Sequence, residues 1–69
     1  MRTSARNAFS GIVKDMVKGP VSSEVTISIA PNIDIVSVIS TRSAEGLGLA
    51  IGKRAFALIK ASSVIVAVD

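Results

Sequence analysis

The sequence predicts an all-β domain: a small five-stranded barrel with one short helix between the third and fourth strands, assembled as an oligomer. Three observations lead there. First, 21 of the 69 residues are β-branched (nine Val, nine Ile, three Thr), and such side chains suit a pleated surface better than a helix. Second, apolar and polar residues alternate over short runs bounded by Pro, Gly and Asn, the period of a half-buried strand. Third, 49% of the residues are hydrophobic in a chain too short to hide them all. Ordering such a chain costs on the order of 100 kcal/mol at about 1.5 kcal/mol per residue, and apolar burial in so small a body roughly cancels that. Small domains usually add a staple. With no Cys and no His, disulfides and the common zinc sites are excluded. Burial between copies of the chain is the staple that remains.

The elements follow in order. Ala8 to Val17 reads as a first strand, with Gly11 marking a bulge or a bend where a barrel turns its corner. Pro20 punctuates the turn after it. Val25-Thr26-Ile27-Ser28-Ile29 is the clearest alternation, apolar on one face and hydroxyl on the other. Pro31-Asn32 then turns the chain, and Ile33 to Ile39 pairs back as a hairpin. Thr41 to Leu49 breaks the pattern: Ser40 or Thr41 reads as an N-cap, and Gly46 and Gly48 as a stop, giving a turn or two of helix. Arg54 to Ile59 and Ser63 to Val68 are two further apolar strands, separated by Lys60-Ala61-Ser62. Five strands with a helix between the third and fourth is the order of an OB-like Greek-key barrel. Residues 1–69 form one unit, without repeat, linker or low-complexity tract.

Composition also bounds function. The longest stretch without a charge, Val25 to Ile33, has nine residues, far below the ~18 needed to span a bilayer. Arg2 and Arg6 are followed by no apolar run, so neither a membrane partner nor a leader is expected. The lack of Cys fits the cytoplasm. The net charge is +3, with the basic residues scattered, which suits a small anion better than a long polyanion. Nucleic-acid-binding barrels rely on stacking aromatics. This chain has two Phe and neither Trp nor Tyr, so nucleic acid is not an expected partner. Enzyme chemistry lacks its usual means: no His for acid–base work, no Cys nucleophile, and carboxylates (Asp15, Glu24, Asp34, Glu45, Asp69) without motif spacing.

Anion binding is better supplied. A tetrahedral dianion needs fixed N–H and O–H donors, some positive charge and no carboxylate nearby. Ser4, Arg6 and Asn7 bring a hydroxyl, a guanidinium fork and an amide within four residues. Lys60 brings a compact charge, and Ser62 and Ser63 bring hydroxyls. The helix start at Ser40 to Ser43 adds free backbone N–H groups. One Arg and one Lys balance a charge of −2. Each cluster is also compatible with a plain reading as a solvated terminus, a polar turn or a helix cap.

Ser4-Ala5-Arg6-Asn7, followed by Gly11, together with Lys60-Ala61-Ser62-Ser63-Val64, resembles the molbindins, the small molybdate-binding Mop proteins with a single TOBE-type domain. Ile39-Ser40-Thr41-Arg42-Ser43 and Leu47-Gly48-Leu49…Gly52-Lys53 follow the same family, so the resemblance covers essentially the whole chain. It implies an OB-like barrel, a homohexamer built as a trimer of dimers, and molybdate or tungstate bound at subunit contacts, with no organic cofactor. Carried over residue by residue, the main site consists of Ser4, Ala5 and Arg6 from one subunit. Their partners are Ser40, Ser43, Lys60 and Ala61 from its neighbour, with Ser62 adjacent. A second kind of site falls near the Lys18 to Val21 turn. Two features depart from the family: Ala30-Pro31-Asn32 stands where relatives often carry a glycine pair, and Pro20 stiffens the first turn. The implied role is intracellular storage, buffering or delivery of molybdenum. Two alternatives from other classes are a structural OB-fold oligomer without oxyanion function and a nucleic-acid-binding OB module.

Overall fold

The computed structural model describes residues Met1 to Asp69. Its elements are β1 (Asn7–Lys18), β2 (Ser22–Ala30), β3 (Ile33–Ser40), helix α1 (Thr41–Gly46), β4 (Arg54–Ile59) and a single 3-10 turn (Ala61–Ser63). The four strands form one antiparallel sheet in the order β3-β2-β1-β4. β3 and β4 are therefore its edges.

Alternation places the core where the pattern predicted it. Val25 and Ile27 of β2 point inward and are buried together with Val13 of β1 and Ala57 of β4. Ile35, Ile39, Leu49 and Met16 pack around them. The Pro31-Asn32 turn joins β2 to β3, with Asn32 at φ 62°. Pro at the first turn position and a residue tolerant of positive φ at the second are what a type II turn asks for.

Gly11 acts through closeness rather than through a bulge. A Cβ there would lie 2.4 Å from the Ser28 carbonyl oxygen and 2.8 Å from Ile27 Cγ2. The first strand's irregularity comes later, between Val13 and Asp15, where the register with β2 shifts. The bulge residue is thus Lys14, and extra twist at this point helps the sheet to curl.

Of the two expected caps of helix α1, Ser40 and Thr41, the structure uses Ser40. Ser40 is extended, and its hydroxyl accepts from the Ser43 N–H at 3.0 Å, which satisfies one of the free donors of the first turn. Thr41 fastens the helix to the β1–β2 turn: its N–H donates to the Val21 carbonyl and its hydroxyl to the Gly19 carbonyl, at 2.8 and 2.6 Å. That hydroxyl has one proton, so the buried Ser23 hydroxyl, 2.7 Å away, is the donor in the bond between them. Ala44 is the helix residue buried against the sheet. The following loop returns through Gly48 and Gly52, at φ 65° and 90°, conformations that glycine adopts without a Cβ penalty.

The predicted fifth strand is the one element this chain does not form. After the 3-10 turn, Val64 to Asp69 are exposed and pair with no strand. Ile65, Val66 and Val68 are 93%, 85% and 92% exposed. Their alternation and β-branching suit a strand, but a strand forms only against an edge that accepts its hydrogen bonds. The curled sheet leaves such an opening between its own edges. A groove of about 450 Å³ there is lined by residues 35–37 of β3 and 56–59 of β4.

Candidate functional site

The antiparallel register of β1 and β4 brings the two hydroxyl-rich segments together. Asn7 pairs with Ile59, and five further pairs run to Ile12 and Arg54. The residues just before β1 and just after β4 therefore leave the sheet at the same end. The Asn7 side-chain amide donates to the Ile59 carbonyl at 3.3 Å, which ties the two exits to each other.

Beyond that tie lies an open cleft of about 520 Å³, lined by Thr3, Ser4, Ala5, Arg6, Leu58, Lys60, Ala61 and Ser62. Six of the eight predicted site residues, Ser4, Ala5, Arg6, Lys60, Ala61 and Ser62, are thus in one place. They come from a single chain, whereas the resemblance to the molbindins assigned them to neighbouring subunits. Ser40 and Ser43 are elsewhere, at the start of α1. There the Ser40 hydroxyl donates to the Ser43 hydroxyl at 2.8 Å, which leaves the Ser43 proton free to donate outward.

The electrostatics of the cleft are one-sided. Arg6 and Lys60 are the charged residues of its lining, and no carboxylate is among them. The ion pairs of the chain, Lys14–Asp34 at 2.9 Å and Lys18–Glu45 at 3.7 Å, lie away from it. Both cations of the cleft are exposed, so they confer positive potential on a surface that water still reaches. The polar groups beside them are hydroxyls and backbone amides. Such a set can hold a small oxyanion, and it offers little to a cation.

Two lining residues were not anticipated from sequence. Thr3 accepts the Ala5 N–H on its hydroxyl at 3.1 Å and so shapes the segment that carries Arg6. Its place next to Ser4 was the available signal. Leu58 enters only through the β1–β4 register, as the partner of Ala8, and no local pattern marks it. At the Lys18 to Val21 turn, where a second kind of site was expected, the structure has a tight turn (Gly19 N–H to Ser22 carbonyl, 3.0 Å) fastened to Thr41. Lys18 there is engaged with Glu45.

Comparison with known proteins identifies the family and the fold. The TOBE domain model matches residues 3–66. The chain is 45% identical over 69 residues to the molybdenum transport protein ModE of Herbaspirillum seropedicae, all of this chain but 26% of that one. It thus spans about a quarter of the length of such relatives. It is 39% identical to a probable molybdenum-pterin-binding protein of Haemophilus influenzae, with both chains covered in full. Among solved structures, MopII from Clostridium pasteurianum superposes with a TM-score of 0.91 at 37% identity, covering 97% of this chain and 100% of that one. The cytoplasmic molybdate-binding protein ModG, with molybdate bound, gives 0.89 at 42% identity, covering 94% of this chain and 46% of that one. A domain model spanning nearly the whole chain and a relative matched end to end place this chain in the TOBE domain family, alongside the small molybdenum-pterin-binding (Mop) proteins.

Proposed function

We propose that this protein binds molybdate, or the isosteric tungstate, in the cleft between residues 3–6 and 60–62, and serves as an intracellular store, buffer or delivery protein for molybdenum. The observation that carries the reading is the meeting of Arg6 and Lys60 in a cleft of hydroxyl and amide donors without a carboxylate. The names of the relatives, a molybdate-binding protein with its ligand among them, support the same ligand. Two cations match a dianion, and the guanidinium fork can engage two oxygens at once. Phosphate near neutral pH retains a proton that requires an acceptor, and the lining offers no carboxylate to take it, only the weaker hydroxyl and carbonyl oxygens. Sulfate is a bare dianion, so discrimination against it falls to the size of the closed site.

The cleft of one chain is open, and the closed site belongs to the oligomer. In this reading the fold becomes a five-stranded barrel when residues 63–68 fill the groove between β3 and β4 of another copy. The assembly is a homohexamer, a trimer of dimers, in which Ser40 and Ser43 of a neighbouring subunit complete the donor set. Anion binding at such contacts stabilises the assembly by mass action. The protein acts by binding rather than catalysis, and its place is the cytoplasm, in line with the cytoplasmic molybdate-binding protein ModG. No helix is long and apolar enough to cross a membrane. A nucleic-acid reading gains nothing: Phe9 pairs across from the buried Ala57 and Phe56 across from Ser10, so the two rings stand on opposite faces and offer no stacking platform.

Native mass spectrometry of anion-stripped protein, titrated with molybdate in excess sulfate, tests this directly. Discrete mass steps on a hexamer are expected. A hexamer that takes up nothing would overturn the ligand and leave a structural oligomer.

A further inference from the structure

We infer that an ion pair between Asp69 of one copy and Arg54 of the next fixes the polarity and register with which the exposed segment Val64–Val68 enters the β3–β4 groove. The inference rests on the reading above that this groove receives a second copy. It adds what makes one docking orientation win.

Two charged groups at the ends of these segments lack partners. Arg54 opens β4 and is exposed, its guanidinium carbon 5.2 Å from the centroid of the Phe56 ring on the same strand. No carboxylate pairs with it. Asp69 follows the exposed apolar run and likewise has no cation. β4 runs from 54 to 59 and the exposed segment from 64 to 69, so six residues can face six.

Laid antiparallel with Asp69 opposite Arg54, every other pair falls into place. Val64, Val66 and Val68 then share the face of Ile59, Ala57 and Ala55. That is the inward face, because Ala57 is buried and Ala55 packs on the core. Ala67 lies opposite the bulky Phe56, and Ile65 opposite Leu58. Asp69 comes out on the face where Arg54 already stands, the arrangement in which cross-strand opposite charges attract. A slip of one residue would turn the three valines to solvent.

The reverse orientation fails for a second reason. A parallel strand would carry Asp69 to the Ile59 end, about 17 Å away at ~3.4 Å per residue. That end adjoins Arg6 and Lys60, and a carboxylate there would compete with the bound anion. The antiparallel arrangement keeps the acid at the far end. It also lays one copy's Lys60–Ser63 beside the anion cleft of the next, so exchange and site closure are one event.

Mixing two singly reversed variants tests the pair. Arg54→Glu alone sets two carboxylates against each other across the contact, and Asp69→Lys alone sets two cations against each other. Each is expected to weaken self-association about tenfold at low salt, the scale of two exposed pairs turned repulsive, with the effect lost in concentrated salt. Mixed together, each variant's groove meets the other's complementary segment. Native mass spectrometry should then show mixed assemblies well above the statistical share. A statistical mixture, or single variants that associate like the parent, would overturn the ion pair. Should the double variant recover while the mixture does not, the pair is formed within one chain, which also overturns the inference. Val66→Asp separates the two layers. If it disperses the assembly while the charge variants behave like the parent, the docking stands and the pair falls. If it leaves the assembly intact, both fall.

Discussion

Asn7 and Ile59 face each other across β1 and β4, and the Asn7 amide donates to the Ile59 carbonyl at 3.3 Å. This one rung holds both walls of the cleft, because Arg6 precedes Asn7 and Lys60 follows Ile59. Asn7→Ala should therefore cost more in binding than in folding. A stability loss of about 1 kcal/mol or less is expected for one partly exposed hydrogen bond. Molybdate titration by calorimetry should show a clearly larger relative loss, with Asn7→Asp worse still because it adds a negative charge beside the anion.

Arg6→Ala and Lys60→Ala each remove half of the site's positive charge. A loss of roughly 2–5 kcal/mol in molybdate affinity is expected once the proposed oligomer closes the site over these exposed side chains, the scale for deleting one partner of a desolvated, hydrogen-bonded charge pair. Arg6→Lys keeps the charge but not the fork, and should fall between the parent and Arg6→Ala. Unchanged calorimetric affinity in both alanine variants would remove these residues from the site.

Gly11→Val tests the backbone approach that lets β1 and β2 curl. Its Cβ would sit 2.4 Å from the Ser28 carbonyl oxygen and 2.8 Å from Ile27 Cγ2, which only a shift of backbone can relieve. Overpacking of this kind costs about 1–3 kcal/mol or more. Denaturant unfolding should show a lower midpoint for Gly11→Val, while Gly46→Ala, at a position with no neighbour within 4 Å, should stay close to the parent.

Thr41→Val keeps the shape of the side chain and deletes its hydroxyl. The Gly19 carbonyl and the buried Ser23 hydroxyl then lose their partner. A cost of about 1–3 kcal/mol follows from leaving buried polar groups unsatisfied. Thermal unfolding checks it. Thr41→Ser, which retains the hydroxyl, should recover most of the loss.

Lys14 titrates above the usual lysine value of 10.5, chiefly because its ammonium is hydrogen-bonded to Asp34 and secondarily because of that carboxylate's charge. A raised folded-state pKa means that the pair's stabilisation is fully present below 10.5 and is lost as pH climbs through the folded value. Asp34→Asn should bring the Lys14 titration back toward 10.5 in an NMR pH series and flatten the dependence of stability on alkaline pH. Because the pair is on the surface, the effect should shrink in salt.

The helix and the hairpin were legible from short segments. Ser40 or Thr41 is the expected cap, and the structure selects Ser40, while Pro31-Asn32 between two alternating runs specified the turn. Gly11 stands out in its strand for a sound reason, but the bulge lies between Val13 and Asp15, and Gly11 itself provides a close approach. A strand glycine signals either a bulge or a close approach, and only the position of Ser28 distinguishes the two. Ser4, Arg6, Lys60 and Ser62 stood out as donors without carboxylates, a matter of side-chain chemistry. That Leu58 and Thr3 share their cleft was not visible, since it depends on the β1–β4 register.

What the sequence by itself determined is the set of local preferences: strands where β-branched residues alternate, a capped helix at Thr41, and a donor-rich, cationic segment on either side of the sheet. Tertiary structure decided which edges remain open and which segments meet. Residues 4–6 and 60–62 are neighbours because Asn7 pairs with Ile59. Residues 64–68, with a strand's own pattern, pair with no strand, and a groove between β3 and β4 stays open. The physical reason is that side-chain alternation is set within a few residues, whereas a strand's hydrogen bonds need a second edge, and only the folded chain or its copies can supply one.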